Sequence, residues 1–80
     1  MSGREKVIAL LEEALAAAPG EVTPGLRLDA IEGLDSMGIV QFLGSLSDHL
    51  GVVVTVEELL ACRTVADVVA VVEGHLRSGR

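Results

Sequence analysis

Apolar side chains recur at three- and four-residue intervals along much of this chain, the period of a helix with one buried face. Val7, Ile8, Leu11, Leu15 and Ala18 make the first such stripe. Ser2 and Glu5 stand at its start with capping-box spacing, and Ala14, Ala16 and Ala17 add helix propensity. Pro19-Gly20 is the expected stop. Met37, Val40, Leu43, Leu46 and Leu50 form a second inward stripe, widened by Ile39 and Phe42, with Gly38, Gln41, Ser45 and Asp48 opposite. That helix is expected from about Ser36 to Leu50, ending on Gly51. Val65, Val68, Val69, Val72 and Leu76 mark a last helix that begins at Thr64, where Thr64 and Asp67 repeat the capping-box spacing with Asp in place of Glu. Its many valines work against it, since β-branched residues disfavour helices.

Between the first two helices Pro19, Gly20, Pro24, Gly25 and Gly33 interrupt any period. Residues 19–34 therefore read as a long loop that lies over the core, burying several of Val22, Leu26, Leu28, Ile31 and Leu34. Val52 to Val56 has strand propensity, but a lone strand is not stable. It reads as an extended connector leading to a short helical turn near Glu57 to Ala61. The expected fold is an all-α four-helix bundle, three main helices and one short one, with a long first loop. Residues 1–80 make a single domain.

Composition sharpens this picture. The chain has 80 residues, half of them apolar, and Phe42 is the sole aromatic. Cys62 is the only cysteine, so no internal disulfide forms, and no Cys/His cluster has zinc spacing. Stability has to come from aliphatic packing. No signal peptide is visible, and runs such as Val68 to Val72 are too short to span a membrane, so a cytoplasmic monomer is expected. The net charge is −6. Residues 28–62 hold Asp29, Glu32, Asp35, Asp48, Glu57 and Glu58 without a Lys or Arg, while the remaining segments cancel. Such a surface disfavours nucleic acid and anionic membranes and favours partners with a basic patch.

The segment Gly33-Leu34-Asp35-Ser36-Met37 places a serine at the start of an amphipathic helix, directly after an aspartate. Asp35 caps the helix, which leaves Ser36 at its first position with the hydroxyl outward. Free N–H groups and the positive end of the helix dipole suit a phosphate ester at that oxygen. Taken alone, Asp-Ser before a helix also reads as a plain cap.

The segment resembles the attachment motif of acyl carrier proteins, Asp-Ser-Leu or Asp-Ser-Met after a short Gly-Leu or Gly-Ala stretch. The likeness covers nearly the whole chain: the opening helix, Leu28-Asp29 in the long loop, Leu34-Asp35-Ser36-Met37, then Val40, Leu43, Leu46 and Leu50-Gly51. Val52 to Val56, Glu57-Glu58 and Arg63-Thr64-Val65-Ala66-Asp67-Val68 complete it. The resemblance implies a non-catalytic carrier. A phosphopantetheinyl transferase, using coenzyme A and magnesium, would attach 4'-phosphopantetheine to Ser36, and the arm's thiol would hold an acyl or aminoacyl group as a thioester. A loading ligase or transferase and downstream synthase, tailoring or thioesterase enzymes would be its partners. Asp35 would assist recognition by the transferase, and Met37, Val40 and Gln41 would face partner enzymes. Carriers of primary fatty acid synthesis have a second helix studded with acids, whereas here Asp48 is its one acid. That departure points to recognition by shape, in a specialised pathway such as polyketide or nonribosomal-peptide synthesis. Asp35-Ser36-Met37-Gly38 with Val40-Gln41 is also similar to D-alanyl carrier proteins.

The other reactive residue types have simpler readings. Cys62 is expected to be a partly buried small residue between helices. His49 and His75 have no partner suggested by spacing and read as surface histidines. Glu57-Glu58 reads as an acid pair at a helix N-terminus. No nucleophile–base pair or paired carboxylates can be assigned, which argues against an enzyme. A small helical interaction module without a prosthetic group is the competing class.

Overall fold

The computed structural model describes residues 3–31 and 34–78. Ser2, Glu32 and Gly33 lie outside them, and with them the Ser2–Glu5 capping box and the first residue of the Gly33–Met37 segment. Four helices follow one another: α1 (Gly3–Leu15), α2 (Ser36–Leu50), α3 (Val56–Leu60) and α4 (Val65–Ser78), with a short 3-10 turn at Leu28–Ala30. Among the described residues there is no strand, and a single antiparallel bridge joins Arg27 to Thr64. No helix is long and apolar enough to cross a membrane among the described residues. The all-α bundle read from the periodicity is the architecture observed.

The core is aliphatic around one aromatic. α1 packs against both α2 and α4. Val7, Leu10 and Leu11 of α1, Phe42 and Leu46 of α2, and Val65, Val68, Val69 and Val72 of α4 are buried together with Val22, Val52, Val54 and Leu59. Each such side chain contributes about 1.5–3 kcal/mol on full burial, which offsets the poor helix propensity of the valines. Val22 is buried, and Leu26, Leu28, Ile31 and Leu34 pack partly buried against the core, as the long-loop reading expects. The connector before α3 alternates, with Val52 and Val54 in and Val53 out. α3 starts on a full capping box, Thr55 accepting from the Glu58 N–H and the Glu58 carboxylate accepting from the Thr55 N–H. Glu57 and Glu58 are thus the acids of a helix start.

Three expectations need correction. α1 stops at Leu15, ahead of Pro19-Gly20, so Ala18 belongs to no helix and is exposed. Ala16 takes a left-handed conformation (φ 56°), and the Ala17 and Ala16 N–H groups close back on the carbonyls of Glu12 and Glu13. This is the paired 6→1 and 5→2 bonding that normally ends a helix on glycine. The Glu12 carboxylate then accepts from the N–H groups of Gly20 and Val22 and holds the turn that follows.

The inward face of α2 is also rotated from the expected one. Phe42, Leu46 and Gly38 are buried, whereas Met37 and Val40 are 71% and 62% exposed. At 100° per residue, Met37 and Val40 lie about 140° and 160° around the helix from Phe42. Phe42 has the largest side chain to bury, and turning it inward carries Gly38 in and those two out. Finally, Leu76 on α4 is 42% exposed. Its neighbour is Gly3, where a Cβ would lie 3.8 Å from the Leu76 Cδ1, so no side chain covers it from that direction.

Candidate functional site

α2 begins after Asp35, whose extended backbone (φ −103°, ψ −172°) turns the chain into the helix. The Asp35 Oδ1 accepts from the Gly38 N–H at 2.9 Å, and the Asp35 carbonyl accepts from the Ile39 N–H at 2.9 Å. Asp35 is therefore the cap, and Ser36 is the first helical residue. The plain-cap reading of Ser36 does not hold, because the capping bond belongs to its neighbour. Ser36 is exposed, and among the described residues its hydroxyl has no hydrogen-bond partner. The N–H groups of Ser36 and Met37 precede the first intrahelical bond and stay outside the ladder. An alkoxy oxygen here is reachable, uncommitted and next to the positive end of a helix dipole.

Asp35, Met37, Val40 and Gln41 are all exposed, so they share with Ser36 the solvent face of the first two turns of α2. On the sequence pattern Met37 and Val40 fitted the inward stripe equally well. Only the volume of Phe42 distinguishes the two rotations.

An open groove of about 510 Å³ lies between the long loop, α2 and α3. Leu34 and Ile39, on either side of Ser36 in the chain, line one end, and Leu59, Leu60 and Cys62 line the α3 side. Arg27, Asp29 and Arg63 stand among its polar walls. Arg27 and Asp29 form a double hydrogen bond (3.2 and 2.9 Å), which holds the Asp29 carboxyl below the usual carboxylate range. Cys62 is partly buried, its Sγ 3.4 Å from the Glu58 carbonyl, and burial pushes its thiol up. It is a wall of the groove rather than a nucleophile.

Sequence reasoning missed this groove, since its walls come from positions 27 to 64. It also missed the acid partner of His75: the Nε2 sits 2.9 Å from the Glu58 Oε2, joining α4 to α3. His49 is exposed, with its Nδ1 3.1 Å from the Ser45 carbonyl. Among the described residues no group of three His, Cys, Asp or Glu could hold a metal ion.

Comparison with known proteins points one way. Residues 5–72 match the family described as a phosphopantetheine attachment site. The chain is similar to the acyl carrier protein MbtL of Mycolicibacterium paratuberculosis, 35% identical over 75 residues, covering 94% of this chain and 84% of that one. It is 34% identical over 74 residues to the meromycolate extension acyl carrier protein of Mycolicibacterium smegmatis, covering 88% and 75%. MbtL of Mycobacterium tuberculosis is 32% identical over 71 residues, covering 89% and 84%. The family's group is a phosphopantetheine joined covalently to the protein, and the residues present fit it: Ser36 is exposed at a helix start whose cap is another residue, and its hydroxyl has no partner among the described residues.

Proposed function

Because the chain belongs to the phosphopantetheine-attachment family and is an acyl carrier protein, we propose that Ser36 is the residue that receives the arm. The observation that carries this reading is the division of labour at the start of α2. Asp35 caps the helix, and the adjacent Ser36 is exposed with no hydrogen-bond partner for its hydroxyl among the described residues. The N–H groups of Ser36 and Met37, outside the intrahelical ladder, and the helix dipole favour a phosphodiester at that oxygen. Once in place, the arm supplies a thiol on which an acyl or aminoacyl group rides as a thioester. The groove flanked by Leu34, Ile39, Leu59 and Leu60 offers that group an apolar shelter.

In this reading the carrier performs no catalysis. It raises the effective concentration of a tethered substrate at successive enzymes. Residues 1–80 act as one carrier domain, monomeric and cytoplasmic, where coenzyme A and the partner enzymes are found. Asp35, Met37, Val40 and Gln41, exposed around Ser36, are the residues those enzymes meet. The name of one relative, meromycolate extension, and the nearly uncharged outer face of α2 support a specialised biosynthetic role over primary fatty acid synthesis.

The test is direct. With coenzyme A, magnesium and a broad-specificity phosphopantetheinyl transferase, the intact mass should rise by one arm, and Ser36→Ala should fold and gain nothing. Wild-type protein left unmodified by an active transferase overturns the reading.

A further inference from the structure

Residues 28–62 contain no Lys or Arg, yet the two arginines that bracket them, Arg27 and Arg63, both line the groove. The backbone brings them together. The Leu28 N–H donates to the Arg63 carbonyl at 2.9 Å, and Arg27 bridges Thr64. The long loop and the connection between α3 and α4 thus meet in one polar wall. Leu34, Ile39, Leu59 and Leu60 supply apolar walls, and the volume of about 510 Å³ lies in the range of small-ligand sites.

The two arginines are not equivalent. Arg27 donates to both oxygens of Asp29 and is neutralised there. The Arg63 guanidinium has no hydrogen bond or ion pair among the described residues. The neighbouring acids are committed elsewhere. Asp67, which feels the Arg63 charge, spends its Oδ2 on the N–H groups of Arg63 and Thr64. The Glu58 carboxylate is taken by Thr55 and His75. A cation without a counter-ion therefore stands on the wall of a largely apolar groove. A planar guanidinium in that position matches a carboxylate, which it can bind through two parallel hydrogen bonds.

We propose that Arg63 is a specificity residue for the cargo: the groove favours a tethered acyl group that ends in a carboxylate over a wholly aliphatic one of the same length. The inference rests on the attachment reading, because a cargo reaches the groove only on an arm fixed at Ser36. Leu34 and Ile39, two and three positions from Ser36 in the chain, put one wall within reach of that arm. The methylenes of the cargo then lie against Leu59 and Leu60, and its terminal carboxylate meets Arg63. Arg27 contributes no such contact while Asp29 holds it. Because Arg63 is exposed, the preference is modest and falls with salt.

The experiment loads wild type, Arg63→Gln and Arg77→Gln from hexanoyl- and adipoyl-coenzyme A with a broad-specificity transferase, and follows cleavage of each thioester by hydroxylamine. Rates are taken relative to the same thioester on free coenzyme A, and thermal melts are the folding control. On wild type the adipoyl thioester should be protected about threefold more than the hexanoyl one. That margin should vanish in about 1 M NaCl and in Arg63→Gln, with hexanoyl protection unchanged. Arg77→Gln, which removes the same charge from a residue outside the groove, should keep it. Equal protection of the two cargoes on wild type overturns the proposal, as does a margin that survives in Arg63→Gln. The arm's own phosphodiester is the other anion within the site. A phosphorus resonance of the cargo-free arm that shifts in Arg63→Gln, with no adipoyl margin on wild type, assigns Arg63 to that phosphate and overturns the cargo preference. Wild type that an active transferase leaves unloaded removes the attachment reading and this inference with it, whereas loaded wild type without the margin removes this inference alone.

Discussion

The starts of α2 and α4 are built from the same parts and finished differently. Both helices follow a residue whose side chain caps the first turn. At α4 the Thr64 Oγ1 accepts from the Asp67 N–H, and the Asp67 Oδ2 accepts from the N–H groups of Arg63 and Thr64. The next two donors reach the long loop, Val65 to the Leu26 carbonyl at 2.9 Å and Ala66 to the Pro24 carbonyl at 2.8 Å. The Leu28 N–H returns a bond to the Arg63 carbonyl. Every donor of that first turn is used, and the loop is held against the bundle. At α2 Asp35 makes one side-chain bond, to the Gly38 N–H, and among the described residues the N–H groups of Ser36 and Met37 have no partner. A helix start with all donors satisfied is a joint; one with donors to spare is a place where an anion can be attached.

The largest effect should come from the open start. Ser36→Ala should abolish loading altogether and shift stability by no more than about 0.5 kcal/mol, because an exposed side chain without a partner contributes little to the fold. Mass spectrometry and thermal melts on the same samples check both halves. A large stability loss would mean that the α2 start is as much a joint as that of α4.

At the closed start the sizes reverse. Thr64→Ala should cost about 1 kcal/mol, or roughly 4–8 °C in Tm for a domain of this size. Asp35→Ala should cost a similar amount, so melting alone will not separate the two. Hydrogen exchange will. Thr64→Ala should speed exchange at Leu28, Val65 and Ala66, whose N–H groups stitch loop to helix, and Asp35→Ala should leave those three protected. Equal exchange in both variants would break the distinction between joint and open end.

Acid sharpens the contrast further. The N–H groups of Arg63 and Thr64 hold the Asp67 carboxyl below its usual range, and the Thr55 N–H, followed by His75, does the same for Glu58. A carboxyl whose folded pKa is depressed contributes fully above its unfolded value, about 3.9 for Asp, and the contribution fades as pH falls through the folded value. Asp67→Asn keeps an accepting oxygen and cannot titrate. Urea unfolding from about pH 6 to about pH 3 should therefore show a shallower acid limb for Asp67→Asn than for wild type. Parallel limbs would mean that the closed start does not depend on the ionised carboxylate.

These local features differ in how readable they are from sequence. The spacing of Thr64 and Asp67, the Asp35-Ser36 pair and Gly51 (φ 66° in the structure) are each written within three or four residues, and all stand where the pattern puts them. The candidate site was legible for the same reason. The rotation of α2 was not, because Met37 and Val40 share the inward period and only the volume of Phe42 decides between faces. The groove, the Glu58–His75 pair and the bonds from Val65 and Ala66 to the loop join residues 17 to 42 positions apart. No local pattern encodes them, and they exist only once the core has brought the elements together.

The end of α1 gives the smallest test and the one most local in origin. α2 ends on Gly51 in a left-handed conformation, and α1 ends on Ala16 in the same region of backbone space. For an L-residue that conformation costs about 1–2 kcal/mol, whereas glycine adopts it freely at an entropic cost of roughly 0.5–1 kcal/mol. Ala16→Gly should therefore stabilise the protein by about 0.5–1 kcal/mol, a rise of a few degrees in thermal melts. Loading at Ser36 should be unchanged, since α1 takes no part in the open start of α2. A destabilised Ala16→Gly would show that the turn held by Glu12, rather than the backbone of Ala16, decides where α1 stops.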